Sequence, residues 1–274
     1  MIPLHDNIAS RTIPFVNYSI IALCAIVFLA QLAISPEEPS LVERFGMIPA
    51  RVSNPDEPVT IDVAIERQMT PQGPQDVVIS RPAAASPVPA VLTMVTCIFL
   101  HGGWMHFLGN MWFLHIFGDN VEDRFGHVGY LIFYVVCGAA ASLAHYATGP
   151  GSPVPTIGAS GAIAGVMGAY FVSYPHARVV TLLPLFIIWQ IIVLPAPLFL
   201  GIWFAIQFFQ GTMSATAAEA TGVAWWAHIG GFAVGLISAW FLGKIHFLRP
   251  RNTNFRPDAD HPRTVRLHTG RRRI

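Results

Sequence analysis

A serine and a histidine occupy apolar stretches that give neither a reason to be there. Ser160 lies in Gly158-Ala159-Ser160-Gly161, at the start of the apolar stretch Ile157 to Tyr174. His228 lies near the start of a second apolar stretch, Val223 to Leu242. Polar and ionisable groups are costly inside a membrane, so such a residue points to function and to a partner. A hydroxyl and an imidazole are the two parts of an activated nucleophile. Ser160 and His228 are therefore the candidate catalytic pair.

A second polar set lies upstream in His101-Gly102-Gly103-Trp104-Met105-His106-Phe107-Leu108-Gly109-Asn110. His106 and Asn110 are four residues apart and share one face of a helix. Both can donate hydrogen bonds. Acyl transfer creates an oxyanion, and preorganised donors aimed at it are often the largest catalytic contribution. A helix that begins at Ser160 would add unpaired backbone N–H groups and a positive dipole end. His101 reads as a supporting residue at a helix start. His115, deeper in the same stretch, reads as structural, and His145 as interfacial.

These residues have to be positioned by membrane helices. Of the 274 residues, 53% are apolar and 11% are charged, against about 25% charged in a soluble domain. The mean hydropathy is +0.53. The expected fold is an all-α, polytopic membrane helix bundle. Six stretches have the length of about 20 residues that a bilayer requires: 14–34, 92–117, 128–147, 157–174, 182–209 and 222–243. The fifth contains Pro184, Pro195 and Pro197, which favour kinks. The expected organisation is a short N-terminus (1–13), a six-span domain (14–248) whose motif-bearing core covers about 90–245, and a basic tail (249–274). A long loop, 35–91, separates the first two spans. Within it Ile61 to Glu66 alternates weakly and could form a strand or a surface segment.

Nine of the sixteen Lys and Arg residues lie between Lys244 and Arg273. By the positive-inside rule the tail is cytoplasmic. Contact with anionic lipid headgroups is a second use for it. With six spans, the N-terminus is then cytoplasmic too, and the even-numbered spans start on the outer side. His106, Asn110, Ser160 and His228 all lie early in even-numbered spans, towards one face of the membrane. Gly118 to Gly126, with Asp119, Glu122, Asp123 and Arg124, falls at the opposite end and reads as a capped turn. Cys24, Cys97 and Cys137 lie in or at apolar segments, so no disulfide framework is expected. The first apolar run lacks a signal-peptide pattern and reads as a retained span.

Small residues four apart let membrane helices approach closely. His228, Gly231 and Gly235 share one face of the sixth span. Ser160, Ala164 and Gly168 share one face of the fourth, with Gly161 and Gly165 as a second small pair. The two spans are expected to pack with their backbones near contact, which an imidazole needs to reach the serine.

Together these residues resemble the rhomboid family of intramembrane serine proteases. The resemblance rests on His101-x4-His106-x3-Asn110, Gly158-x-Ser160-Gly161 and Ala227-His228-x-Gly230-Gly231-x3-Gly235, in that order on spans two, four and six. It implies a Ser–His dyad without a carboxylate. Ser160 would be the nucleophile and His228 the general base. His106, Asn110 and the backbone N–H of Ser160 would form the oxyanion hole, with His101, Gly158, Gly161, Gly231 and Gly235 in support. No Asp or Glu lies in spans four or six. Some family members place an aromatic residue four positions after the serine, against the histidine ring. Here that position is Ala164, so another group must support the ring. The Trp-Arg pair that many members carry in the first loop is absent.

The resemblance also implies a cavity open to the outer aqueous phase, a cap at Gly211 to Gly222, and the fifth span as a lateral gate. The loop Gly149 to Ile157 suits a non-helical wall at membrane depth. Expected partners are single-span membrane-protein substrates and membrane lipid, with no nucleic acid, cofactor or metal. The expected location is a bacterial inner membrane. Two alternatives compete: an inactive relative that binds membrane helices in quality control, and a metal-binding or transport protein that uses His101, His106, His115 and His228.

Overall fold

The computed structural model describes residues 1–35, 39–70, 73–185, 188–216 and 224–253. The chain opens with strand β1 (Ile2–Asp6) and helix α1 (Phe15–Ala33). The first loop holds two short helices, α2 (Leu41–Phe45) and α3 (Pro49–Ser53), and an antiparallel hairpin of β2 (Thr60–Thr70) and β3 (Gly73–Pro82). Ile61 to Glu66 is thus a strand. Next come α4 (Thr93–Thr96), flanked by 3-10 turns, then α5 (Trp104–Phe125), α6 (His127–Thr148) and α7 (Ser160–Ser173). A second hairpin, β4 (Arg178–Leu185) and β5 (Ile188–Pro195), leads into α8 (Ala196–Thr216), and α9 (Trp225–Lys244) closes the bundle.

Four of the described helices, α1, α6, α8 and α9, are long and apolar enough to cross a membrane. A fifth crossing is made if Ala90–Phe99 and α5, bent by 81° at their junction, act as one broken span. α7 has only 14 residues, about 21 Å at 1.5 Å per residue, shorter than a hydrocarbon core of about 30 Å. It is also the central helix. Every residue from Gly161 to Tyr170 is buried, the environment that a helix apolar on all sides requires. The outer helices expose Ile26, Leu29, Ile132, Val136, Ile206, Phe209, Ile237 and Phe241. An apolar surface of that extent is the mark of a membrane-facing bundle.

Four expectations are corrected. The chain is mostly helical but not all-α, because it carries a three-stranded sheet ordered β1-β4-β5 and the β2–β3 hairpin. The fifth span is not 182–209. Residues 178–185 and 188–195 are strands, and the helix runs from Ala196 to Thr216. Val179, Val180, Thr181, Ile191, Ile192 and Val193 are β-branched and favour a pleated surface. Pro184 is tolerated because β1 pairs only with 179–182, which leaves that side of β4 open. Pro197 sits in the first turn of α8, where its missing N–H costs nothing.

The second span, expected at 92–117, is broken at Leu100 to Gly103 and then continues to Phe125. Backbone freed at the break is satisfied by Gln31 of α1. Its side chain accepts from His101 N at 3.0 Å and donates to His101 O at 2.9 Å.

The polar run 118–126 is not a capped turn either. Residues 118–125 are the last two turns of α5, with Gly126 as its C-cap, and Asn120, Glu122, Asp123 and Arg124 are buried. The N-terminal segment accounts for that burial. Asp123 accepts from the backbone N–H of Arg11 and Thr12 and from the Thr12 hydroxyl. Glu122 accepts from Val16 N at 3.0 Å and Asn17 N at 2.7 Å, and so caps the first turn of α1. Asp6 accepts from Asn120 Nδ2 and Tyr170 Oη. These contacts fasten the C-terminal ends of α5 and α7 to the start of the chain. The opposite ends carry the candidate site.

Candidate active site

Ser160 is the first residue of α7. Two residues earlier Gly158 has φ +125°, a conformation that glycine adopts without steric cost. Its N–H donates to Cys97 O at 2.9 Å. A Cβ on Gly158 would lie 2.8 Å from His106 Cε1 and Nε2 and 3.6 Å from Ser160 Oγ. Glycine there lets His106 and the serine close on the same space.

His228 lies in the first turn of α9. Its Nε2 is 2.7 Å from Ser160 Oγ, and its Nδ1 is 2.7 Å from Oε1 of Gln207 on α8. An amide oxygen only accepts, so Nδ1 carries the imidazole proton and Nε2 offers its lone pair to the serine hydroxyl. The ring is further enclosed by Trp203, with centroids 6.0 Å apart and planes at 38°, and by Trp225, at 6.0 Å and 89°. His228 is buried.

The meeting of Ser160 and His228 depends on α7 and α9 touching backbone to backbone. A Cβ on Gly231 would stand 2.0 Å from Gly161 O, and one on Gly235 would stand 2.0 Å from Gly165 O. From the other side, a Cβ on Gly168 would stand 2.2 Å from Phe232 O. No side chain fits at these points.

His106 and Asn110 lie in the first two turns of α5. His106 Nδ1 accepts from Gly102 N at 3.3 Å, which leaves the proton of the neutral ring on Nε2, beside Gly158. Asn110 is buried, and its Nδ2 has no hydrogen-bond partner among the described residues. An unused buried donor is unusual and calls for an explanation. An acceptor placed in the cavity beside it would supply one. The first N–H groups of α7 are likewise without intrahelical acceptors.

Ser160, His106, Asn110 and His228 all line one cavity of about 980 Å³. The segment from Thr148 to Ile157 forms part of its wall and is held by Met47, which pairs with Thr156, and by Ala50 N, which donates to Ser152 O at 2.9 Å. Among the other histidines, His101 is buried with its ring packed on Phe28, His106 and Phe107. His115 is exposed and stacks on Tyr18. His145, read as interfacial, lines the cavity. Among the described residues no three His, Cys, Asp or Glu side chains gather as metal ligands. Cys24, Cys97 and Cys137 are free and buried. Of the expected cap, 217–222 lies outside the described residues, and 211–216 continues α8.

Gln207, Trp203 and Trp225 did not stand out in the sequence. Gln207 carried a usable signal, since an amide in an apolar span points inward to a partner. The tryptophans carried none, because aromatic residues are common in membrane helices.

The profile of the Rhomboid domain matches residues 89–245, more than half of the chain. The Arabidopsis thaliana "Rhomboid-like protein 11, chloroplastic" is 38% identical over 78 residues, 28% of each chain. The Saccharomyces cerevisiae "Rhomboid protein 1, mitochondrial" is 26% identical over 168 residues, 57% of this chain and 43% of the relative. The "Putative rhomboid protease YdcA" of Bacillus subtilis is 35% identical over 77 residues, 28% of this chain and 38% of the relative. The matches thus span less than half the length of each relative. With its apolar helices, this multi-pass integral membrane protein belongs to the rhomboid family.

Proposed function

We propose that the chain is an intramembrane serine endopeptidase that works by a Ser160–His228 dyad. The observation that carries this reading is the 2.7 Å contact between Ser160 Oγ and His228 Nε2 inside a cavity. Family membership supports it.

The steps follow from the atoms present. Ser160 Oγ attacks the scissile carbonyl carbon while His228 Nε2 takes the hydroxyl proton. The carbonyl oxygen becomes an oxyanion facing His106, Asn110 and the N-terminal N–H groups of α7. His228 then gives its proton to the leaving amine, and the C–N bond breaks to leave an acyl-Ser160 ester. Water, with His228 again as base, hydrolyses the ester and restores the serine.

Substrates in this reading are single-span membrane proteins whose helix unwinds near the cavity, because a peptide must be extended to present its carbonyl. Entry is lateral, past α8. In this reading the basic tail is cytoplasmic, and with six spans the N-terminus is cytoplasmic too and the cavity faces the outer side. An Arg263→Cys protein should then react with a membrane-impermeant maleimide only after permeabilisation, and reaction in intact cells would reverse the orientation. The function itself is tested by co-expression with a panel of single-span proteins. Fragments that appear with the wild type and not with Ser160→Ala support it. Identical fragments from both proteins contradict it.

A further inference from the structure

We propose that Gln207 is the positioning residue of the dyad, holding His228 in its Nδ1–H tautomer, and that α8 thereby belongs to the catalytic apparatus as well as to the cavity wall. The proposal rests on the Ser160–His228 reading and identifies what keeps that pair productive.

A neutral imidazole has one ring proton. If it sits on Nε2, His228 cannot accept from Ser160, whatever the distance between them. The hydrogen bond made by the other nitrogen decides which tautomer is present. Neither α7 nor α9 carries an Asp or Glu. Among the described residues, the hydrogen-bond partner of His228 Nδ1 is Gln207 Oε1, at 2.7 Å.

The surroundings of Gln207 argue that its place is specific. It is 7% exposed, whereas Gln210 and Thr212 on the same helix are exposed. A buried amide costs free energy unless it is hydrogen-bonded, and here the histidine is its partner. Trp203 precedes Gln207 by four residues, so both project from one face of α8, and both meet the His228 ring. Trp203 supplies from α8 the aromatic contact that Ala164 of α7 cannot. An amide also suits the site better than a carboxylate would, because it directs the ring proton without burying a charge.

The test compares Gln207→Leu, which removes the acceptor, with Gln207→Glu, which keeps one, and uses Gln207→Met should the leucine variant not fold. Two readouts are taken: kcat and KM for substrate cleavage, and the ¹⁵N spectrum of histidine-labelled protein, with the His228 signal assigned by its loss in His228→Gln. Gln207→Leu should lower kcat by about 10²-fold with KM nearly unchanged, the cost of a misplaced catalytic group. Its His228 signal should lose the Nδ1–H pattern. Gln207→Glu should recover most of kcat and keep that pattern. An unaltered Nδ1–H pattern in Gln207→Leu, or an unaltered kcat, would overturn the proposal. The spectrum needs no turnover, so the role of Gln207 is decided separately from whether the protein is a protease.

Discussion

Gly231 packs directly on the carbonyl of Gly161, so close that a Cβ on Gly231 would lie 2.0 Å from that oxygen. This contact brings α9 against α7 at the level where His228 reaches Ser160. One turn further on, Gly235 repeats it on Gly165. The short distance between Ser160 and His228 is therefore a consequence of backbone approach.

Gly231→Ala should damage activity without altering any catalytic atom. The added methyl must push the helices apart, which overpacking studies put at about 1–3 kcal/mol of stability. Displacement of the imidazole by about 1 Å costs roughly 10²-fold in rate. Thermal unfolding and turnover of the inserted protein check both effects, and Gly231→Leu should be worse on each. Full activity with unchanged stability would show that the helices do not meet here.

The two donors on α5 should behave alike. Asn110→Ala should lower turnover by about 10²-fold, the cost of one lost oxyanion donor. His106→Ala should fall by a similar factor. Neither should change expression greatly, since among the described residues Asn110 Nδ2 has no partner to lose. Turnover measured on one cleaved substrate decides it, and wild-type rates for both would make them packing residues.

In the first loop, Glu43 accepts from Arg81 Nη2 at 2.7 Å and Nη1 at 3.0 Å, and also from Ala84 N at 3.2 Å. Arg51 packs beside it and donates to Glu43 O and Ala84 O. The Arg81 hydrogen bonds hold the Glu43 carboxyl below its ordinary value, against the opposing effect of burial. A depressed carboxyl contributes stability above its unfolded value and loses it as pH falls through the folded one. Glu43→Gln should thus lower the melting temperature at neutral pH, and the difference from wild type should shrink on acidification through and below the ordinary carboxylate range. A difference constant with pH would contradict the ion pair.

The candidate site was readable in the sequence to the extent that chemistry demands particular residue types. Ser160, His228, His106 and Asn110 are rare in apolar segments, and small residues at spacing four mark close helix contact. Gln207 is as polar as these but points to no chemistry by itself, because an amide has no catalytic role of its own until its neighbour is known. The fold was less readable where hydropathy fits two answers. A run such as Val179 to Leu185 is apolar enough for a span or a buried strand, and periodicity does not separate the two. The strand forms because β1, distant in sequence, pairs with it. The polar run at Asp119 to Arg124 looked like a solvated turn, since its partners, Arg11, Thr12, Val16 and Asn17, lie more than a hundred residues away.

The central claim is that Ser160 is a nucleophile activated by His228, and labelling by a serine-reactive fluorophosphonate tests it most directly. Intact mass and peptide mapping of the detergent-solubilised wild type should show one adduct, on Ser160. Ser160→Ala should show none, and His228→Ala should label far more slowly while remaining folded. A folded wild-type protein that takes no label at Ser160, or a His228→Ala protein that labels at the wild-type rate, would contradict the account.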